Sequence, residues 1–441
     1  MKTLFFTVFL LIGYILLPAQ QQTGRTLITD VNIFNGKDER IKQQMDILIE
    51  GALIREIKPA GTIDKAGAWV INGSGKWLMP GLIDAHWHTF LVGAGFAELL
   101  QGDVGFLHTL AASEAGKTLL RGFTTVRDVA GPAFGLKKAI DEGIVSGPRI
   151  YPAGAMISQT SGHGDFKLRS DRPVKFGGHP SVAEVLGAST IADGPDEVRI
   201  AVREQLRLGA SQIKLACGGG IASFYDPLDV NEFGTEEIKA AVQAAGDWGT
   251  YVTVHIYTPE GIIRAVNAGV KCIEHGNLAN EEAIKLIAEK GVWCCMQPLT
   301  DTSRPQYDAD RNAKLKQAAE GTNRVFALAK KYHVKLAFGT DKLFSRTAGA
   351  DQNNQLVKML RWFTPFEVLR MATSANGELL QLSGNRNPYP GKQLGIIEEG
   401  AYADMIVLND NPLQKLEILK DPEHNMLLII KNGVIYKNLL P

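Results

Sequence analysis

The chain has 441 residues, of which 45% are hydrophobic and 21% charged, a balance that argues against extensive disorder and suits either several domains or one barrel with an accessory. Lys plus Arg and Asp plus Glu both number 47, so there is no net field to hold nucleic acid or an anionic membrane, and no nucleic-acid partner is expected. Four cysteines, Cys217, Cys272, Cys294 and Cys295, lie in the central region without a C-x-x-C spacing and read as buried free thiols, not as a disulfide framework.

At the N-terminus, Lys2 precedes "LFFTVFLLIGYILL", a run shorter than the ~20 apolar residues a membrane span needs. It reads as a signal peptide over residues 1–19, with Ala19 at the cleavage point and a mature chain starting near Gln20. The expected location is therefore periplasmic or secreted, with no stable membrane span after cleavage; an uncleaved anchor is the competing reading. Residues 24–78 hold "RTLITDVNIFNG" and "MDILIEGALIREIKP", alternating runs broken by Gly and Asn that predict strands and hairpins.

From Gly81 to about Gly377 short β-branched runs alternate with longer amphipathic stretches. The strand candidates in order are "GLIDAHWH", "FTTVRDVA", "PRIYPAGA", "SQIKLAC", "TYVTVHIY", "KCIEHGN", "VWCCMQPL" and "VKLAFGTD". Between them "PDEVRIAVREQLRLG" has an acidic start and a Gly stop, and in "TEEIKAAVQAAGDWG" Thr235 is the expected cap. One connection, with "SQTSGHGDFKLRSDRPVKFGGHPS", is long enough to predict a lid over a barrel mouth. The last stretch returns to strands in "ADMIVLND" and "MLLIIKNGVIYK", where Asn432-Gly433 is a hairpin signal. The fold class expected is α/β: a (β/α)8 TIM barrel over residues 79–385, with a small composite β-sandwich formed by residues 20–78 and 386–441 because neither flank alone has enough strands.

Awkward polar residues collect at the C-terminal ends of the barrel strands, where barrel active sites lie. His86 and His88 are two apart on the first strand and face the same side. Lys214 lies between Ile213 and Leu215 and faces the interior if those two face the helices. His255 ends the fifth strand, His275 follows the sixth and Asp341 ends the eighth. Each alone has a structural reading as a core histidine, a snorkelling lysine or a turn-capping aspartate. Together they form a set of imidazoles and a carboxylate suited to zinc, iron or manganese.

This pattern resembles the amidohydrolase superfamily of barrel metal-dependent hydrolases, and the resemblance spans most of the chain. "IKLACGGGIASFYDPL", "HIYTPEGIIRAVNAGVKCIEHGNL" and "GIIEEGAYADMIVLNDNP" resemble its prolidase-like branch, which cleaves dipeptides and N-acyl amino acids and includes ochratoxin-hydrolysing amidases. The resemblance implies two divalent metal ions, usually zinc, bridged by a carboxylated Lys214. It implies that His86, His88 and Asp341 hold one ion and His255 and His275 the other, with Asp341 as the proton carrier. Tyr257 and His163 then lie where they can donate hydrogen bonds to the oxyanion or substrate; the competing readings are a packed strand-end aromatic and a loop hydrogen bond. His108, His179, His333 and His424 read as structural.

"CCMQPLTDT" and the "FY" of "SFYDP" depart from what every prolidase-like member would carry, so the pocket they shape is open. Lys167, Arg169, Arg172 and Lys175 in the lid outnumber Asp165 and Asp171, and Arg169 and Arg172 are the expected partners of a substrate carboxylate. The expected partner is thus a small dipeptide or N-acyl amino acid, cleaved before a C-terminal residue; homo-oligomerisation stays open. Alternatives are a cyclic amide hydrolase of the imidazolonepropionase type or a deaminase, both disfavoured by Lys214, and a non-catalytic exported binding protein.

Overall fold

The computed structural model describes residues 24–441, so the expected signal segment lies outside the described residues. All eight strand candidates are strands: Leu82–Trp87, Phe123–Asp128, Arg149–Pro152, Ile213–Ala216, Val252–Ile256, Cys272–His275, Trp293–Cys295 and Lys335–Ala337. Neighbours pair in parallel along this order. The third strand breaks at Gly154, whose φ of 76° turns the chain, and resumes as Met156–Ser158, which pairs onward with Ile213–Ala216. Two hydrogen bonds close the barrel between its ends, from Ala85 N–H to the Phe338 carbonyl and from Asp341 N–H to the His86 carbonyl, both at 2.9 Å.

Strand alternation decides what enters the barrel. Ile213 and Leu215 join the large apolar cluster that includes Val198, Val202 and Leu206 of helix Pro195–Leu208, which leaves Lys214 facing inward. Cys294 and Cys295 divide in the same way between the outer and inner clusters, and all four thiols are free and buried. Helix Pro195–Leu208 stops at Gly209, in the left-handed region, as its sequence predicts. Helix Thr235–Asp247 corrects one expectation: its cap is Gly234 and not Thr235. The Glu237 carboxylate reaches back to the N–H of Gly234 and also takes that of Gly194, so the first turn needs no hydroxyl cap.

Strands from both chain ends form one eight-stranded sheet. Arg25–Ile33 pairs with Lys42–Glu50, Ala68–Asn72 and Trp77–Pro80, and Met405–Leu408 joins the C-terminal strands to it through Trp77–Pro80. Met426–Lys431 and Val434–Asn438 form the hairpin predicted at Asn432-Gly433, with φ of 56° and 72°. A Cβ at Gly433 would meet the Gly51 carbonyl oxygen at 1.8 Å, which reserves that corner for glycine. The stretch read as a lid carries structure of its own: besides Met156–Ser158 it holds helix Val182–Leu186 and strand Ser189–Ile191, the latter paired with Met156–Ser158. Among the described residues no helix is long and apolar enough to cross a membrane.

Candidate active site

At the C-terminal ends of the barrel strands lies a cavity of about 380 Å³ whose wall includes His86, His88, Lys214, His255, His275 and Asp341. The six residues expected at one mouth are thus together. Asp341 Oδ1 lies 3.3 Å from His86 Nε2 and 3.1 Å from His88 Nε2. The His255 and His275 rings sit 4.3 Å apart, and His275 and His86 rings 4.9 Å apart. Two backbone turns help aim these groups: His275 has φ of 71° and Asp341 φ of 51°, conformations that L residues hold only under surrounding constraint.

Each imidazole has one nitrogen committed to an oxygen acceptor. His86 Nδ1 is 2.8 Å from Glu274 Oε2, His88 Nδ1 is 3.3 Å from the Ala130 carbonyl, His255 Nε2 is 3.1 Å from the Gly219 carbonyl and His275 Nδ1 is 2.6 Å from Gln297 Oε1. A neutral imidazole that donates from one nitrogen presents a lone pair at the other, so Nε2 of His86, His88 and His275 and Nδ1 of His255 are left as Lewis bases. Burial holds His255 and His275 well below the usual imidazole range, which keeps them neutral. Ligand atoms of His86, His275 and Asp341 lie within 4.8 Å of one another. Electron-rich atoms this close, with their protons directed elsewhere, fit a cation between them.

His86, Glu274 and Cys295 also cluster within 4.8 Å. That group is better explained as support for His86. Glu274 is ion-paired with buried Arg127 at 2.5 Å and also accepts from Thr253, while burial pushes the Cys295 thiol well above its ordinary value. Lys214 is 2% exposed and makes no hydrogen bond or ion pair among the described residues; burial lowers its ammonium pKa.

Tyr257 and His163 both line the cavity. The Tyr257 ring stacks on His275 with centroids 5.0 Å apart, and burial raises its hydroxyl well above its usual range, so it stays a donor. His163 stacks on His255 at 3.9 Å, while its Nδ1 faces Asp226 Oδ2 at 3.1 Å and Ser223 Oγ at 2.9 Å. The lid arginines are placed differently from expectation. Arg169 and Arg172 are exposed and absent from the wall of this cavity; Arg169 lies over the Tyr225 ring at 5.1 Å and lines an adjacent cavity with Phe224. The lid's lysines are neutralised by acids, Lys167 by Glu184 at 2.7 Å and Lys175 by Glu197 at 3.0 Å, so the loop offers less free positive charge than its sequence count suggests.

Sequence reasoning missed Glu274, Gln297, Arg127 and Asp226. Glu274 precedes His275, and plain alternation would send the two to opposite faces; the positive φ of His275 brings both into the barrel. Gln297 follows the apolar run of strand Trp293–Cys295, and Arg127 is a charged residue within the wholly buried strand Phe123–Asp128.

Residues 77–435 match the amidohydrolase family. The chain belongs to that family. This amidohydrolase is 31% identical over 384 residues to ochratoxinase of Aspergillus niger, covering 82% of this chain and 75% of the relative. It resembles a prolidase solved with N-methylphosphonate-L-proline, with a TM-score of 0.86 and 31% identity over 94% of this chain and 100% of the other. It also resembles a Xaa-Pro dipeptidase solved with bound methionine, with a TM-score of 0.82 and 30% identity over 94% and 100% of the two chains. The amidohydrolase therefore lies in the prolidase-like branch, has that branch's barrel with an added domain, and is a hydrolase acting on amide bonds.

Proposed function

We propose that this amidohydrolase uses two divalent metal ions, with zinc preferred, to cleave dipeptides or N-acyl amino acids before their C-terminal residue. The observation that carries the metal reading is the set of four imidazoles, each with one nitrogen tied to an oxygen outside the candidate ligand set, while the other nitrogens of His86 and His88 converge on Asp341 and those of His255 and His275 have no hydrogen-bond partner among the described residues. His86, His88 and Asp341 would hold one ion, His255 and His275 the other, with Lys214 between them as a carbamate. A carboxylated lysine is an anionic ligand, which accounts for a buried amine without a carboxylate partner among the described residues. When bound, such ions polarise a carbonyl and make water nucleophilic at neutral pH.

The chain's own residues do the rest. Asp341 accepts the proton of the attacking water and passes it to the departing amine, because its carboxylate is held ionised by His86 and His88 against the cost of burial. Tyr257 keeps its phenolic proton and donates it as a hydrogen bond to an oxygen of the substrate. His163, anchored through Nδ1, directs its other nitrogen into the cavity for the same purpose. The substrate class draws support from the relatives, one named for ochratoxin and two for prolyl dipeptides. Turnover of a library of dipeptides and N-acyl amino acids, by metal-replete and chelator-treated protein, tests both claims. Hydrolysis of library members that vanishes on chelation and returns with zinc is expected; hydrolysis that survives full metal removal would overturn the metal reading, and no turnover of any member the substrate reading.

We also propose export, on the strength of Lys2 followed by the apolar run to Leu17. N-terminal sequencing of protein from the native cell envelope should begin near Gln20, and an intact Met1 in cytoplasmic protein would refute it.

A further inference from the structure

We propose that Arg304 is the anion receptor of the substrate cavity and binds a carboxylate of the substrate, the task that the sequence assigned to the lid. This rests on the amide-hydrolase reading of the site. Besides the imidazoles and Lys214, the ionisable side chains of the wall that matter are Asp301, Arg304, Asp341, Lys342 and Asp351. All but one are matched. Lys342 pairs with Asp351 at 2.6 Å, Asp301 with Lys358 at 3.2 Å, and Asp341 with His86 and His88. Arg304 has no carboxylate partner among the described residues. Its one side-chain hydrogen bond runs from Nη1 to the Tyr307 hydroxyl at 3.2 Å, with the guanidinium 5.4 Å from the Tyr307 ring centroid.

The root of this side chain is fixed. The Asn312 side chain accepts the Arg304 N–H at 2.7 Å and donates to the Arg304 carbonyl at 3.3 Å. Asn312 itself sits in the first turn of helix Ala309–Lys331, which Asp308 caps. The loop after the seventh strand thus presents a held, half-buried guanidinium whose Nε and Nη2 have no protein partner among the described residues. A guanidinium stays charged at any working pH, so this end of the cavity carries a fixed positive charge. Arg304 lines the same cavity wall as Tyr257 and Lys342. A carboxylate supplies the two parallel acceptors that the open fork needs. One part of the wall is apolar, with Phe96, Leu99, Phe166 and Leu186, and suits the uncharged acyl portion.

Two carboxylates are chemically equivalent here: the α-carboxylate of the C-terminal residue and the side-chain carboxylate of an acidic one. The experiment separates them. Wild type, R304Q and R304K, all metal-replete, are compared by calorimetric binding and by kcat/KM on two sets of pairs: dipeptides against their C-terminal amides, and Ala-Asp or Ala-Glu against Ala-Asn or Ala-Gln. Wild type is expected to favour the carboxylate member of at least one set by about 10- to 100-fold. In R304Q that preference should collapse to within a few-fold, and R304K should keep part of it as a point charge without the fork. The set that responds identifies the carboxylate. Equal treatment of both members in both sets by wild type, or an undiminished preference in R304Q, would overturn the proposal. Because binding is read directly, tight carboxylate-selective binding without cleavage would remove the hydrolase reading and leave the receptor standing.

Discussion

Lys214 and Glu232 are both deeply buried titratable side chains, and they make opposite demands on their surroundings. Lys214 faces the imidazoles with no carboxylate partner among the described residues, and as a carbamate bridge it would set the spacing of two ions. Lys214→Ala should therefore retain less than the wild-type metal complement in elemental analysis; two full equivalents would contradict the bridge. Glu232 is 2% exposed, accepts the His163 N–H at 2.9 Å, and is raised by burial and then by Asp226 from 4.5 to about 9. It is protonated in the fold at neutral pH, whereas in the unfolded chain it ionises once pH passes 4.5. Between those two values the unfolded state binds fewer protons, so stability contributed by this group falls as pH rises and levels off only above about 9. Glu232→Gln removes the titration. Its unfolding free energy should match wild type near pH 4 and exceed it increasingly towards pH 8, by up to about 5 kcal/mol. A difference that does not change with pH would contradict the assignment.

At the scale of elements, the barrel closes where the first and eighth strands meet, and three of the proposed ligands, His86, His88 and Asp341, sit at that seam. Gly339 lies two residues before Asp341, and a Cβ there would meet His86 Cβ at 2.5 Å, its backbone nitrogen at 2.7 Å and Cys295 Sγ at 2.5 Å. None of these is the end of a flexible chain. Gly339→Ala should force the two strands apart, cost about 1–3 kcal/mol in denaturant unfolding, and lower metal content because His86 and Asp341 move relative to each other. Unchanged stability and full metal content would show that the seam yields. Strands and the cluster of polar strand-end residues were legible in sequence because both signals are local: alternation with period two marks each strand, and a histidine, lysine or aspartate inside such a run is conspicuous. What supports these residues was not local. Glu274 reaches His86 across 188 positions of sequence, and Asp226 meets His163 from a loop whose course no periodicity dictates. The same blindness put the substrate carboxylate at Arg169 and Arg172, because a charge count cannot tell which loop cations face the cavity, and both are exposed and off its wall.

For the whole molecule, the question is what joins the barrel to a sheet drawn from both chain ends. The sequence suggested that the flanks combine, since each alone is too small to bury a core, but it did not reveal the tie between them and the barrel. Arg149, on the third barrel strand, reaches Asp404 just before strand Met405–Leu408, with Nε at 2.9 Å from Oδ2 and Nη2 at 3.3 Å from Oδ1. Nη2 also donates to Asn432 Oδ1 at 2.7 Å, at the hairpin corner, and Asp404 Oδ1 accepts the Asn432 N–H at 2.6 Å. The guanidinium lies 5.0 Å from the Tyr389 ring centroid and 4.1 Å from that of Tyr402. With Arg149 and Asp404 5% and 3% exposed, the pair is buried, so its net worth against an apolar replacement is small while the cost of leaving one charge alone is large. Asp404→Ala strands the guanidinium and should lose about 3–5 kcal/mol in denaturant unfolding. The double variant Arg149→Met, Asp404→Leu should recover part of that loss, held back by the orphaned Asn432 N–H. A loss below about 1 kcal/mol in the single variant, comparable to that of an exposed pair, would mean that water reaches the guanidinium and that the sheet is held to the barrel by its apolar contacts alone.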